Sequence, residues 1–231
     1  MGAFAYLLDL PVIDYDQAHR LQLSAVTARR NGQLDGDLVM MLEHEPVFTL
    51  GRRGGRENLL VPVQWLQSRG IEVVPIERGG DITYHGPGQL VVYLLMDLSS
   101  RGLGVADFVG RLESAMTRTA AHWGIKACGD NDNRGAWIGQ RKLGSVGITV
   151  RRGITFHGLA LNVCIDMEPF QWIHPCGLKS CEMTSMEKEA GRKIELGSAR
   201  KQMARNLGEL FEMELAPIDL DELMWKLGHD Q

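Results

Sequence analysis

The stretch Arg78–Gln89, RGGDITYHGPGQ, constrains this chain more than any other. It lies between two apolar runs, Ile71–Ile76 and Leu90–Met96, which read as buried strands. Four glycines and a proline sit between them, a composition that regular elements tolerate poorly. Glycines let a backbone approach a ligand closely and turn its N–H groups toward an oxygen. Packed among them are Arg78, Asp81, Thr83, Tyr84, His85 and Gln89, each able to hydrogen bond. A polar, glycine-rich loop clamped between strands predicts a site on a rigid scaffold, although a long surface turn has the same composition. The pattern is neither a GxxxxGK[ST] phosphate loop nor a GxGxxG fingerprint.

The rest of the chain supplies the scaffold. Ala5–Leu10 reads as a strand ended by Pro11, and Asp14–Arg30 as an amphipathic helix with Ala18, Leu21, Ala25 and Ala28 on one face. Leu38–Glu43 and Val47–Leu50 read as strands, followed by the basic glycine loop Gly51–Arg56. That loop is either a mobile solvated turn or an electrostatic patch for an acidic partner. A short helix begins at Pro62, and a long one over Val105–Trp123 carries Phe108, Leu112, Ala115 and Met116 on its apolar face. Ala136–Gln140, Leu143–Val150 and Ile154–Val163 read as a strand meander with Arg151-Arg152-Gly153 at a hairpin tip. Ala199–Met213 and Leu220–Leu227 read as closing helices, the second capped by Asp219. The pattern predicts an α+β fold, a single domain over residues 1–231 with a mixed or antiparallel sheet flanked by helices.

Composition narrows the function. At 231 residues, 44% hydrophobic and 23% charged, the chain can bury a real core. A formal net charge of −4 argues against nucleic acid as the partner. No apolar run has transmembrane length. The apolar start lacks a basic n-region and meets Asp9 early, which argues against an export signal. The four cysteines are too sparse for a disulfide scaffold and read as thiols in a reducing cytosol. Cys164 ends an apolar strand and reads as a small buried hydrophobe, and Cys128 sits in a polar turn. Cys176, in His174-Pro175-Cys176-Gly177, reads as an accessible loop thiol, with the Gly177 N–H beside it as a candidate oxyanion donor. His157, His174, Cys176 and Cys181 are chemically able to bind zinc, but no C-x2-C or H-x3-H pair supports this, so no metal is expected. A nucleophilic cysteine needs an activator, because a thiol of pKa ~8.5 is mostly protonated at neutral pH. Lys142, His157, His85 and His174 are the candidates, and sequence alone does not choose among them.

Four blocks of the chain together resemble the lipoyl(octanoyl) transferase family. They are Glu43-His44-Glu45-Pro46 through Thr49-Leu50-Gly51-Arg52, then Arg78–Gln89, then Arg141–Gly147 with Gly153–Asn162, and finally Pro175-Cys176-Gly177 followed by Thr184-Ser185. They span most of the chain in the family's order. Gly144 and Phe156 stand where alanine and tyrosine are frequent. The resemblance implies a fold like the catalytic domain of biotin– and lipoate–protein ligases, with that core over about residues 35–218. It implies a cytoplasmic acyltransferase of lipoate biosynthesis that needs no cofactor. Its reaction would move octanoyl from octanoyl-acyl carrier protein to a specific lysine of lipoyl domains, those of 2-oxoacid dehydrogenases and the glycine cleavage H protein. Cys176 is implied as the acyl-thioester intermediate, and Lys142 as the partner that lowers the thiol pKa and shuttles the proton. The acyl site would be lined by Arg78, Gly79, Gly80, Asp81, Ile82, Thr83, Tyr84 and His85, by Ser145, Val146 and Gly147, and by Gly158, Leu159 and Ala160.

The chemistry suits these residues. Exchange of a thioester onto a thiol costs little, and thioester-to-amide conversion is downhill, so the lack of a phosphate loop is consistent. An eight-carbon chain at ~0.8 kcal/mol per buried methylene contributes on the order of 5 kcal/mol. Ile82, Tyr84, Leu159 and Leu161 are candidate walls for it, and Gly158 a further candidate oxyanion donor. Arg52, Arg53, Arg56 and the Arg151-Arg152 turn are candidate docking points for acidic carrier proteins.

Overall fold

The computed structural model describes residues 3–177 and 181–228, so the ends of the expected domain and positions 178–180 lie outside the described residues. In chain order the first half comprises β1 (Ala3–Ile13), α1 (Tyr15–Arg30), β2 (Asp37–His44), β3 (Val47–Leu50), α2 (Val63–Gln67), β4 (Glu72–Pro75), β5 (Ile82–His85), β6 (Gln89–Leu95) and α3 (Val105–Ala121). The second half comprises β7 (Cys128–Gly129), β8 (Gly135–Ile138), β9 (Arg141–Arg151), β10 (Ile154–Asn162), β11 (Glu182–Met183), α4 (Met186–Ala190), α5 (Leu196–Leu210), β12 (Met213–Ile218) and α6 (Leu220–Lys226).

Strands rich in apolar residues on both faces form the centre of a nine-stranded mixed sheet, in the order β12-β1-β2-β6-β10-β9-β8-β7 with β11 against β9. The β12–β1 and β1–β2 pairs are parallel, and β2–β6–β10–β9–β8 run antiparallel. Alternation divides the side chains between two layers. Val39 and Met41 of β2, Leu90, Val92 and Leu94 of β6, and Leu159 and Leu161 of β10 pack under α3 and α5. Leu38, Met40 and Leu42, Val91, Tyr93 and Leu95, and Phe156 and Ala160 face α1 and α6. A smaller sheet, β4-β3-β5, builds a third apolar cluster around Phe48, Ile82, Tyr84 and Phe170.

The α+β architecture, the mixed sheet and the Arg151–Ile154 hairpin follow the sequence expectation. The hairpin tip is two residues, Arg152 and Gly153, both left-handed at φ 52 and 87 as a tight turn requires. Asp14 and Asp219 cap α1 and α6 by accepting the Gln17 and Glu222 N–H groups.

Several expectations need correction. Ile82–His85, read as loop, is the buried strand β5, because its alternating residues pair with β3. The Ile71–Ile76 run is not a buried strand: β4 is the half-exposed edge of the small sheet. Pro11 does not end β1, since an irregularity between Asp9 and Val12 absorbs it. The last long helix stops at Leu210, and left-handed Glu212 turns the chain into β12, an unexpected strand. Its Pro217 is tolerated because β12 is an edge strand. β1 lies between β2 and β12 in the large sheet.

Gly158 of β10 leaves no room for a side chain against β6: an added Cβ would meet Val92 O at 2.1 Å. Gly158→Ala is expected to cost about 1–3 kcal/mol, read as a lower urea midpoint at unchanged m-value.

Candidate active site

Cys176 sits on a single turn, Pro175–Gly177, and is itself left-handed at φ 57, followed by Gly177 at φ 72. A cysteine in that conformation carries strain of about 1–2 kcal/mol, so its surroundings must hold it. They do so through the backbone. The Gly177 N–H donates to His174 O at 2.9 Å, the His174 N–H to Asn58 O at 2.8 Å, and the Leu60 N–H to Trp172 O at 2.8 Å. The Asn58 amide also donates to Asp81 Oδ2 at 2.9 Å. One residue therefore ties the cysteine turn to the glycine-rich segment. The Gly177 N–H, expected as a free oxyanion donor, is committed to His174 and is not available in that role.

Lys142, second residue of β9, is 2% exposed. Its Nζ donates to Cys176 Sγ at 3.2 Å and lies 5.0 Å from the centre of the Trp137 ring. Among the described residues it joins no ion pair. Of the four activators left open by the sequence, Lys142 is the one at the sulfur. His174 contributes its backbone to the cysteine turn. His85 has both ring nitrogens engaged, Nδ1 with Gln89 Oε1 at 2.7 Å and Nε2 with the Thr49 hydroxyl at 3.4 Å.

Cys176 stands where two cavities meet. The inner one, about 520 Å³ of empty space with its mouth included, is walled by Val91, Val146, Leu159 and Ala160 and edged by Arg78, Thr83 and His85. Gly79, Gly80, Asp81, Ser145, Gly147 and Gly158 also border it. Ile82 and Tyr84 do not: they alternate to the other side of β5 and fill the small sheet's core with Phe48 and Phe170. Leu161 likewise belongs to the layer under α3 and α5. The outer cavity is bordered by Lys142, Cys176, Gly79–Asp81, Arg53, Asn58 and Arg134. The loop carrying Arg52 and Arg53 is no free turn, because their N–H groups donate to Arg78 O and Gly80 O, each at 3.0 Å.

A buried polar chain supports the inner cavity. Arg78 Nη2 donates to Thr49 O and Oγ1 at 2.8 Å, and Thr49 meets His85. His85 meets Gln89, whose amide donates to Asn162 Oδ1 at 2.8 Å. Asn162 donates to Thr184 O at 2.9 Å, and the Thr184 N–H returns to Lys142 O at 2.9 Å. Burial lowers the Arg78 pKa, while the neighbouring Cys176 charge opposes that shift. Burial, aided by His44, pushes His85 down to about 3. Burial likewise pushes His44, bonded to Tyr93 Oη at 2.6 Å, down to about 4. Both rings are neutral at pH 7.

Tyr15 Oη and Arg78 Nε, both buried at the cavity, have no hydrogen-bond partner among the described residues, and His157 Nε2 lies 3.9 Å from Glu77 Oε2. His157 is left-handed at φ 60, and its N–H is held by Gln22 Oε1 at 2.7 Å. It gathers not with His174, Cys176 or Cys181 but with His19 and Glu77, whose ligand atoms lie within 4.8 Å of one another. The His157 and His19 imidazoles hold Glu77 down at about 2. Burial lowers His157 and raises Cys164 and Cys181, the last to about 11. Cys164 is half-buried rather than fully enclosed. Tyr15, Asn58, Glu77, Tyr93 and Trp137 were not singled out in the sequence. Only Glu77, adjacent to the glycine-rich motif, carried a signal there.

A family model described as the lipoyl protein ligase A/B catalytic domain matches residues 14–208. A curated octanoyltransferase of Desulfotalea psychrophila is 43% identical over 90% of this chain and 94% of its own length. One from Syntrophobacter fumaroxidans is 42% identical over 95% and 96%. Among solved structures, a lipoate-protein ligase A bound with ATP superposes with TM-score 0.74 at 15% identity, covering 98% of this chain and 92% of that one. A bipartite lipoate protein ligase of Thermoplasma acidophilum, solved in a study of that ligase and its E2 lipoyl domain, gives 0.72 at 14% identity over 99% and 98%. At those identities the structures speak for the fold.

The buried histidines set an acid limit on stability. The unfolded chain takes up protons at His44 and His85 near pH 6.5, whereas the folded chain does so only near 4 and 3. Stability is thus full above about pH 6.5 and is lost as pH falls toward 4, while Glu77 adds a loss only between about 4.5 and 2. Urea titrations from pH 7 to 4 are expected to show that decline, and a flat profile contradicts it.

Proposed function

The chain belongs to the lipoyl protein ligase A/B catalytic-domain family, and from that premise we propose that it is an octanoyl-transferring enzyme of protein lipoylation that uses Cys176 and Lys142. The observation that carries the reading is the 3.2 Å Lys142–Cys176 contact at the mouth of an apolar-walled cavity. Octanoyltransferase relatives that match nearly the whole chain support the acyl group.

The proposed donor is octanoyl-acyl carrier protein. The Cys176 thiolate attacks the thioester carbonyl, the new C–S bond forms, and the donor thiolate leaves with the proton of the Lys142 ammonium. The acceptor is a lysine of a lipoyl domain, as in 2-oxoacid dehydrogenases and the glycine cleavage H protein. Its amine attacks the acyl-cysteine and passes its proton to the neutral Lys142 amine, while Cys176 leaves as thiolate. The amide is formed and the starting pair restored, with no nucleotide consumed. Val91, Val146, Leu159 and Ala160 would enclose the chain, and the unpartnered Arg78 Nε would face the reacting end. Arg53 and Arg134, at the outer cavity, suit acidic carrier surfaces. The four free thiols fit a cytoplasmic setting. No described helix is long and apolar enough to cross a membrane.

Intact-protein mass spectrometry with octanoyl-acyl carrier protein and no ATP tests the reading. A hydroxylamine-sensitive octanoyl adduct is expected on the wild type and not on Cys176→Ala. Modification of a lipoyl domain only with ATP and free octanoate would point to a ligase instead. Lys142→Ala is expected to slow acylation by about 10²-fold or more. The double variant Arg52→Glu, Arg53→Glu is expected to raise KM for the carrier several-fold at similar kcat. Steady-state kinetics with varied carrier concentration check this, and a kcat defect at unchanged KM would overturn the docking role.

A further inference from the structure

Lys142 is held from strand β8. Pairing runs Gly135↔Ser145, Ala136↔Gly144, then Trp137↔Lys142, so Leu143 is an extra residue that bulges β9 at this point. Leu143 is fully buried in the layer under α3 and α5, and the bulge leaves Lys142 opposite Trp137. The Trp137 ring lies 5.0 Å from Nζ, and its orientation is set without the lysine, because Nε1–H donates to Asn133 O at 2.7 Å. On the other side, Gly135 makes room for the stem: a Cβ there would meet Lys142 Cε at 2.9 Å and Gly144 O at 2.2 Å, and its φ is 145. Gly135 is fixed in turn by buried Glu113, which accepts its N–H at 2.7 Å and pairs with Arg134 at 3.1 Å.

We infer that Trp137 is a positioning residue for this reaction, its ring face holding the Lys142 ammonium beside Cys176 while Gly135 admits the methylene stem. The inference rests on the Lys142–Cys176 reading above. A desolvated ammonium needs a partner, and tryptophan offers the strongest aromatic one. The choice of a neutral partner matters. A carboxylate would compete with the thiolate for the ammonium and would trap the proton that must leave with the donor thiol. A ring face compensates the charge without taking part in the exchange. It is again in place when the second step returns the proton to Lys142 and restores the ammonium.

The test compares Trp137→Leu with Trp137→Phe in the full chain. Both lose the bond to Asn133, and only leucine loses the π face. Peptide-resolved alkylation of Cys176 by iodoacetamide is followed against pH, with single-turnover octanoyl transfer to the cysteine. For Trp137→Leu the alkylation profile is expected to move to higher pH and acylation to slow by about tenfold, while Trp137→Phe stays within about threefold of wild type. Equal behaviour of the two variants overturns the inference. If Trp137→Leu does not fold, fluorinated tryptophans placed at 137 keep the shape and weaken the ring's field. A graded loss with fluorine number supports the role, and a flat series overturns it. Cys176→Ala and Lys142→Ala run in parallel: wild-type transfer by either defeats the dyad itself, whereas inactive dyad variants with matching Leu and Phe variants defeat only Trp137.

Discussion

Holding a buried lysine against a thiol, with no carboxylate partner among the described residues, is the constraint around which this molecule is arranged. An isolated buried charge is costly unless it is paired and hydrogen bonded. Lys142 has a thiol sulfur and an indole face, and each of those must be delivered accurately. The bulge at Leu143 aims the lysine, the glycine at 135 clears its path, and the strained Cys176 turn brings the sulfur. That turn is secured by Asn58, which also grips Asp81 of the glycine-rich segment. A shift in any of these elements would leave the charge without compensation.

The buried polar chain has a complementary mechanical role. From Arg78 through Thr49, His85, Gln89, Asn162 and Thr184 it links the three-stranded sheet to the large sheet, and it ends on the backbone of Lys142. Each member spends its hydrogen-bonding groups on the next, which is how polar residues survive under such burial. The histidine, glutamine and arginine of the motif thus act as struts, with only selected atoms, such as Arg78 Nε, left facing the cavity.

Much of this was legible in the sequence. The central strands β2, β6 and β10 announced themselves as apolar runs, and the helices α1 and α3 by their periodicity. The glycine-rich motif and the cysteine turn pointed to the site, and the family resemblance singled out Lys142. What stayed hidden was set by distant pairing. β12 carries a proline and a glutamate because it lies at an edge, so its strand character comes from β1 rather than from its own pattern. Ile82 and Tyr84 share a segment with true cavity residues, and only the pairing of β5 with β3 decides which way they turn. Trp137 and Asn58 are unremarkable in sequence, since their roles depend on a bulge and on a loop brought from more than a hundred residues away.

The two cavities share Gly79, Gly80, Asp81, Val146, Gly147 and Cys176, so the sulfur stands on their common border. Under the proposed reaction the delivering and receiving proteins must reach that border in turn. An acceptor that arrives early would block delivery, and a donor that lingers would block release. Throughput would then depend on the ratio of the two carriers as much as on the amount of either. A cell that raised one alone would gain little flux and could even stall the enzyme in its occupied state.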